Sequence, residues 1–235
     1  MNKIVVVLCL LLGLCGCTQP ADPVVVDPHS SIYSENYTVE EVIAAFDEVV
    51  LASEYSSGDG NPALVQKWDG PIYCKITGYR DSDLVILENL FNELNAVEGF
   101  PGIYQGEHYY QVTIDFYAND DEFLDHMGHI AGINVDGAVE YWYDTELNFI
   151  YEGSIGYKDK MDEDIRKSVL IEEVINMLGI TDTETREDSI TYQYSSTNME
   201  LSEMDWIIVK LLYNEEIKTS MNAEECHEII KKLYY

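Results

Sequence analysis

Hydrophobic residues recur at helical spacing in two segments of the first half of the chain. A helix is predicted over residues 38–52, because a capping-box signature, Thr38 with Glu41, precedes apolar residues three and four positions apart. A second, strongly amphipathic helix is predicted over 82–96, where leucines and a phenylalanine mark one face. A third, short helix is predicted over 120–126.

Alternation of apolar and polar residues marks the strands. The strands predicted on this basis are 71–78, 111–118, 138–144 and 148–157. Helical spacing then returns, in helices predicted over 162–178, 202–213 and 222–233. Strands are mixed with helices early in the chain and stop late. This order predicts an α+β fold in one domain over residues 37–235, with a mixed sheet backed by helices and a helical C-terminal lobe.

The N-terminal residues have the pattern of a bacterial lipoprotein signal. Lys3 is followed by an uncharged apolar run that reaches Leu14-Cys15-Gly16-Cys17. The run is too short to span a bilayer, and small residues before a cysteine suit a lipoprotein signal peptidase. We expect residues 1–16 to be removed, Cys17 to carry lipid at the extracytoplasmic face of a bacterial membrane, and 17–36 to form a tether. An ordinary secretory signal cleaved nearby is the alternative.

Acidic residues greatly outnumber basic ones. The chain has 44 Asp and Glu against 13 Lys and Arg, which gives a formal net charge of −31 at pH 7. Nucleic acid and anionic lipid surfaces are therefore poor partners for it. Because the acidic residues are spread along the whole length, they first predict a strongly solvated surface.

One predicted helix resembles the active-site helix of zinc proteases, the zincins. In His-Glu-x-x-His-x-x-Gly-x-x-His/Asp, two imidazoles one turn apart bind zinc and the glutamate between them activates a water. The equivalent positions here are Glu172, Glu173, Asn176, Gly179 and Asp182. Glu173 keeps the catalytic position, but both histidines are absent. The remaining metal-ligand candidates, Glu172, Asn176 and Asp182, suit zinc less well than imidazole does, so no bound metal is expected.

A wider resemblance covers nearly all of the chain from about Val39. Its motifs are Val65-Gln66-Lys67-Trp68-x-x-Pro71-Ile72, the segment 171–179, Asp188-Ser189-Ile190 and the segment 201–221. In their order and spacing the chain resembles a family of uncharacterised bacterial secreted proteins and lipoproteins, a domain of unknown function with a zincin-like core. The resemblance implies that acidic and amide residues replace the zinc-binding histidines. It brings no established activity.

Other residues with metal-binding chemistry lie outside that helix. Glu122, His126 and His129 are spaced i, i+4 and i+7, so a continuous helix would place them on one face as a metal cluster. The alternative is a short surface helix that begins at Asn119 and ends at Gly128, with first-turn acids that suit the helix dipole. His108, beside Glu107, has no positioned partner visible in the sequence.

Two cysteines, Cys74 and Cys226, remain beyond Cys17. In an extracytoplasmic protein these two cysteines can form a disulfide. One lies in a predicted strand and the other in the terminal helix, however, which favours two separate buried thiols. Cys226 and His227 are neighbours on a helix and point apart, so they do not form a nucleophilic pair.

Tyrosines cluster in the strand-rich middle of the chain. Exposed rings there could stack on sugars or hold an extended peptide, and ordinary packing in the sheet is the alternative. The cluster comprises Tyr104, Tyr109, Tyr110, Tyr117, Tyr141, Tyr143, Tyr151, Tyr157, Tyr192 and Tyr194, with Trp142.

Together these patterns predict a membrane-anchored extracytoplasmic lipoprotein with a degenerate zincin-like domain. We expect it to be a binding or accessory module for a peptide or another cell-envelope component, with no cofactor. The alternative is a metallopeptidase that holds zinc or another divalent cation at a non-standard site around Glu172, Glu173 and Asp182. A structural envelope protein without a ligand is the third interpretation.

Overall fold

The computed structural model describes residues 32–51, 63–132 and 134–234. The helices are α1 (Val39–Phe46), which continues as a π-helical segment (Asp47–Leu51), α2 (Asp81–Asn95), α3 (Asp120–Met127), α4 (Glu163–Met177), α5 (Glu203–Leu212) and α6 (Ala223–Leu233). The strands are β1 (Lys67–Trp68), β2 (Ile72–Thr77), β3 (Ile103–Gln105), β4 (Val112–Tyr117), β5 (Gly137–Tyr143) and β6 (Phe149–Lys158). All predicted helices and strands are confirmed. The sequence missed β1 and β3, which are too short to show alternation. Cys17 and the predicted signal peptide lie outside the described residues.

Side-chain caps begin the helices where the sequence predicts them. At α1 the Thr38 hydroxyl accepts a hydrogen bond from the Glu41 amide at 3.3 Å, and the Glu41 carboxylate accepts one from the Thr38 amide at 2.8 Å. The same exchange begins α5 at Ser202 and α6 at Asn222. These caps satisfy amides that a helix leaves without intrahelical partners, so they set where each helix starts.

The strands form one mixed, mostly parallel sheet. Its neighbouring strands are β3, β2, β4 and β6, all parallel, and β5 then pairs antiparallel with β6. The short strand β1 pairs with the first residues of β6. Within the described residues β5 pairs only with β6, so its other side is a free sheet edge.

Helices α2 and α4 pack on one face of the sheet. Ile114 and Ile155 are fully buried in the core on this face, which extends through α1, α5 and α6. On the other face α3 covers one end of the sheet with Phe123 and Met127, both buried. A Cβ on Gly156 would lie 2.5 Å from Met127 Cγ, so the glycine allows α3 to approach β6 closely.

A buried ion pair joins α4 to α2. Arg166 donates to both carboxylate oxygens of Asp83, at 2.6 and 2.7 Å. Burial by itself would raise the pKa of Asp83, but the Arg166 hydrogen bonds and a backbone amide hold that pKa below its ordinary value. The bidentate geometry sets the rotation of α4 against the sheet, and this rotation places the acidic side chains of its last turns.

Candidate functional site

A cleft of about 480 Å³ lies between β5 and α4. A smaller hollow of about 240 Å³ continues it along the same strand. Val139, Asn176 and Asp182 line both. The opposite wall comes from residues 193–196, so the cleft follows the free edge of the sheet.

The floor of the cleft is one face of α4. Val169, Glu172, Glu173 and Asn176 are spaced three and four residues apart, and all four line the cleft. Glu173 extends beneath Gly137, the first residue of β5. A Cβ at Gly137 would lie 2.7 Å from Glu173 Oε1 and 2.7 Å from Val169 Cγ1, so only glycine leaves this path open.

Gly179 returns the chain to the cleft after α4 ends. Its φ is +92°, in the left-handed region, and a Cβ there would collide with the Gln66 carbonyl oxygen. The turn brings Asp182 back beside α4, where its Oδ1 accepts a hydrogen bond from Asn176 Nδ2 at 2.8 Å. The residues of the zincin-like pattern therefore converge in one cleft.

Burial favours the neutral forms of the two glutamates in this cluster. Burial raises the pKa of Glu173 well above its ordinary value, and the carboxylates of Glu172 and Asp182 raise it further. Burial also raises the pKa of Glu172 to about 8; the Asp182 charge adds to this effect, and the Ser196 hydroxyl, which donates at 3.3 Å, opposes it. Both pKa shifts favour the protonated carboxyl group, which can donate a hydrogen bond.

Zinc, the metal that the zincin resemblance implies, does not fit this arrangement. Within the described ranges no group of three or more His, Cys, Asp or Glu side chains is placed to hold a metal ion. Asn176 directs its amide nitrogen towards Asp182, so the two side chains bond to each other, and its Oδ1 is buried without a hydrogen-bond partner. The raised pKa of Glu173 also favours its protonated form, which cannot take a proton from water.

His126 of α3 and His129, which follows the helix, are not brought together. His126 Nδ1 contacts the backbone oxygen of Glu122 at 2.9 Å, whereas His129 Nε2 contacts the Glu140 carboxylate at 2.8 Å. The helix begins with Asn119 as its N-cap and has Gly128 as its C-cap, which confirms a short surface helix.

The remaining candidates are separate as well. Cys74 and Cys226 are both buried free thiols, so the prediction of two separate thiols is confirmed. His227 pairs with Asp47 at 2.8 Å. His108 is exposed.

The tyrosines divide into two groups. Tyr157 is fully buried and donates from its hydroxyl to the Leu170 carbonyl at 2.8 Å, as expected for sheet packing. Other rings lie open to solvent: Tyr109 is 65% exposed, and Tyr194, at the rim of the cleft, is 67% exposed. Sheet packing is therefore confirmed for Tyr157, and binding of a sugar or peptide by the exposed rings stays a prediction.

Sequence reasoning missed Gly137 and Ser196, two residues that shape the acidic cluster. Gly137 begins β5 and Ser196 follows α4 in a loop, so neither lies near the motif helix in sequence. The sequence offered one signal: Gly137 comes directly before the predicted strand 138–144, and a glycine in such a place often marks a close approach of another group.

One family model matches part of the chain. Residues 155–232 match a family model described as a protein of unknown function (DUF2927). No curated protein matches the chain. In the described part of the chain no helix is long and apolar enough to cross a membrane. A DUF2927 domain of unknown function thus covers α4, α5 and nearly all of α6, and the acidic cluster of the cleft lies within it.

Proposed function

We propose that the protein is a lipid-anchored extracytoplasmic binding module that captures an extended polypeptide along β5. The observation that carries this proposal is the position of the free edge of β5, directly beside the cleft on α4. An unpaired edge presents a row of backbone donors and acceptors. A peptide that adds a strand to such an edge gains backbone hydrogen bonds, and pockets for alternate side chains select its sequence.

The cleft has the chemistry that such a peptide requires. Neutral carboxyl groups of Glu172 and Glu173 donate hydrogen bonds to carbonyl oxygens, and the unpaired Oδ1 of Asn176 accepts one from an amide. Val139 and Ile130 provide apolar surface beside these groups. The adjoining hollow is mostly apolar, and apolar surface beside a few directed polar groups is typical of a binding site.

The zincin-like part of the proposal rests on the motif and on its place in the fold. Glu172, Glu173 and Asn176 lie on α4, the helix that comes after the longest strand, and Gly179 and Asp182 follow it at the zincin spacing. In this interpretation the scaffold retains a substrate cleft, and the loss of both histidines leaves binding without hydrolysis.

The anchoring part rests on Leu14-Cys15-Gly16-Cys17 and the apolar run before it. Mass spectrometry of the protein isolated from membranes tests it. We expect a chain that begins at Cys17 and carries acyl groups, and a Cys17→Ser variant released from the membrane. A mature N-terminus elsewhere would contradict the lipoprotein assignment.

Peptide capture is tested by selecting peptides from a display library on the full chain. Each selected peptide is then N-methylated at odd or at even positions. We expect one set to abolish binding and the other to leave it almost unchanged, because only alternate amides of an added strand face β5. Equal effects of the two sets would overturn strand addition. Hydrolysis of the peptides that Glu173→Gln abolishes would instead establish the metallopeptidase alternative.

A further inference from the structure

Part of the outer face of the sheet is not covered by any element of the described residues. Helix α3 packs over the end of the sheet at Gly156, where Met127 fills the space. Towards the other end, the outward side chains of β4, β5 and β6 remain open and line a groove of about 460 Å³. Glu140 and Trp142 of β5 line this groove, and they alternate with Val139 and Tyr141, which line the hollow beside α4.

Three aromatic side chains line the groove. Tyr110, Trp142 and Tyr151 are 40%, 41% and 47% exposed. Between them lie two small hydroxyl residues, Thr113 and Ser154, joined by a hydrogen bond of 3.3 Å. Exposed rings around a polar base are unusual for a surface that only faces water, because such rings are normally packed against a neighbour.

The charged groups of the groove are mainly acidic. Glu152 is exposed and lies opposite Trp142 in the strand pair. Its carboxylate makes no ion pair or hydrogen bond with the rest of the described chain. Glu140 is engaged by His129 at 2.8 Å. Lys75 lies at the border, 5.2 Å from the centre of the Tyr110 ring. Free carboxylate and electron-rich rings together favour a positive charge.

We propose that this groove binds a lysine or arginine side chain in a basic segment of a partner protein. A cation placed over Trp142 interacts with the ring face and pairs with the Glu152 carboxylate. The net charge of −31 draws basic segments towards the protein and repels anionic polymers. The groove and the cleft lie on opposite faces of β5, so this binding does not depend on capture of a peptide at the strand edge.

The test uses a capped (Lys-Gly)₅ peptide and the full chain, with affinity measured by calorimetry. We expect Trp142→Leu and Glu152→Gln each to weaken binding about five-fold, the effect of losing one cation–π contact or one partly exposed ion pair. Glu93→Gln is the matched control, since it removes the same charge from an exposed position on α2. It should change the affinity less than two-fold, which we take as the scale of a diffuse charge effect.

Nuclear magnetic resonance localises the same event. The chain has three tryptophans, so the Trp142 indole signal is identified by its loss in Trp142→Leu, and it should shift when the lysine peptide binds. Equal weakening by Glu93→Gln, or no shift of this signal, would overturn the proposal in favour of non-specific attraction. Binding of maltohexaose that requires Trp142, without binding of the lysine peptide, would overturn it in favour of a saccharide. Weakening of lysine-peptide binding by Glu172→Gln, with no effect of Trp142→Leu, would place the peptide in the cleft and overturn the proposal.

Discussion

The two ends of α4 hold buried acids in opposite ways. Near its start, Arg166 meets Asp83 with two hydrogen bonds, and the pKa of the acid lies below its ordinary value. Two turns later, Glu172 and Glu173 lie beside Asp182, and no Lys or Arg of the described chain pairs with either of them. Their pKa values are raised.

The difference separates structural acids from acids available to a ligand. A buried acid with a bidentate cation is satisfied inside the protein and stabilises one packing of α4 on α2. Burial without a neighbouring cation destabilises the charged form of an acid, so the acid keeps its proton to a higher pH. Such groups cluster at functional clefts, where a ligand completes their hydrogen bonds. The cleft end of α4 is therefore where we expect binding.

The largest effect on stability should come from disrupting the Arg166–Asp83 ion pair near the start of α4. Arg166→Met leaves Asp83 buried without its cation, and we expect the free energy of unfolding in urea to fall by about 3–5 kcal/mol. The double variant Asp83→Asn with Arg166→Met removes both charges and should recover part of this loss. If single and double variants were equally unstable, the charge pairing would not be the cause.

A smaller effect on stability, of opposite sign, is expected from Glu172 and Glu173 at the cleft end of α4. Because the folded-state pKa of Glu172 is about 8, above its ordinary value of 4.5, its contribution to stability is present below about pH 4.5 and is lost as the pH rises to about 8. At pH 8, Glu172→Gln should raise the free energy of unfolding by roughly 2 kcal/mol, and Glu173→Gln should also raise it, because burial raises the pKa of both carboxyl groups.

Urea denaturation of the wild type and both variants between pH 4 and pH 9 measures this difference. The stability of the variants should depend less steeply on pH between about 4.5 and 8. Glu200→Gln, at an exposed position, is the control and should leave the slope unchanged. A wild-type protein that gains stability over this range through Glu172 would contradict the raised pKa.

The smallest of the three effects on stability concerns Gly137, which leaves space for the Glu173 side chain. In Gly137→Ala the new methyl would lie 2.7 Å from both Glu173 Oε1 and Val169 Cγ1, so we expect a loss of about 1–2 kcal/mol in the free energy of unfolding. Gly132→Ala is the matched control, because no atom lies within 4 Å of a Cβ there. Equal stability of the two variants would show that β5 does not restrict the position of Glu173.

Local patterns predicted the elements of this fold well. Helix starts at Thr38, Ser202 and Asn222 follow from caps whose donors and acceptors are three residues apart. The sequence motif also contains the information that brings Glu172, Asn176 and Asp182 together, because all three lie on one helix or directly after the turn at Gly179. Interactions of short range along the chain are visible in the sequence, since backbone geometry alone sets their distances.

The sequence by itself determined the helices, the main strands, the cap positions and the acidic motif. Only the tertiary structure decided that Glu173 lies beneath Gly137, that Arg166 reaches Asp83, and that β5, among the described residues, pairs with β6 alone and has a free edge beside the cleft. These contacts join residues far apart in the chain. Their distances, and the burial that raises or lowers a pKa, exist only after the sheet and helices have packed.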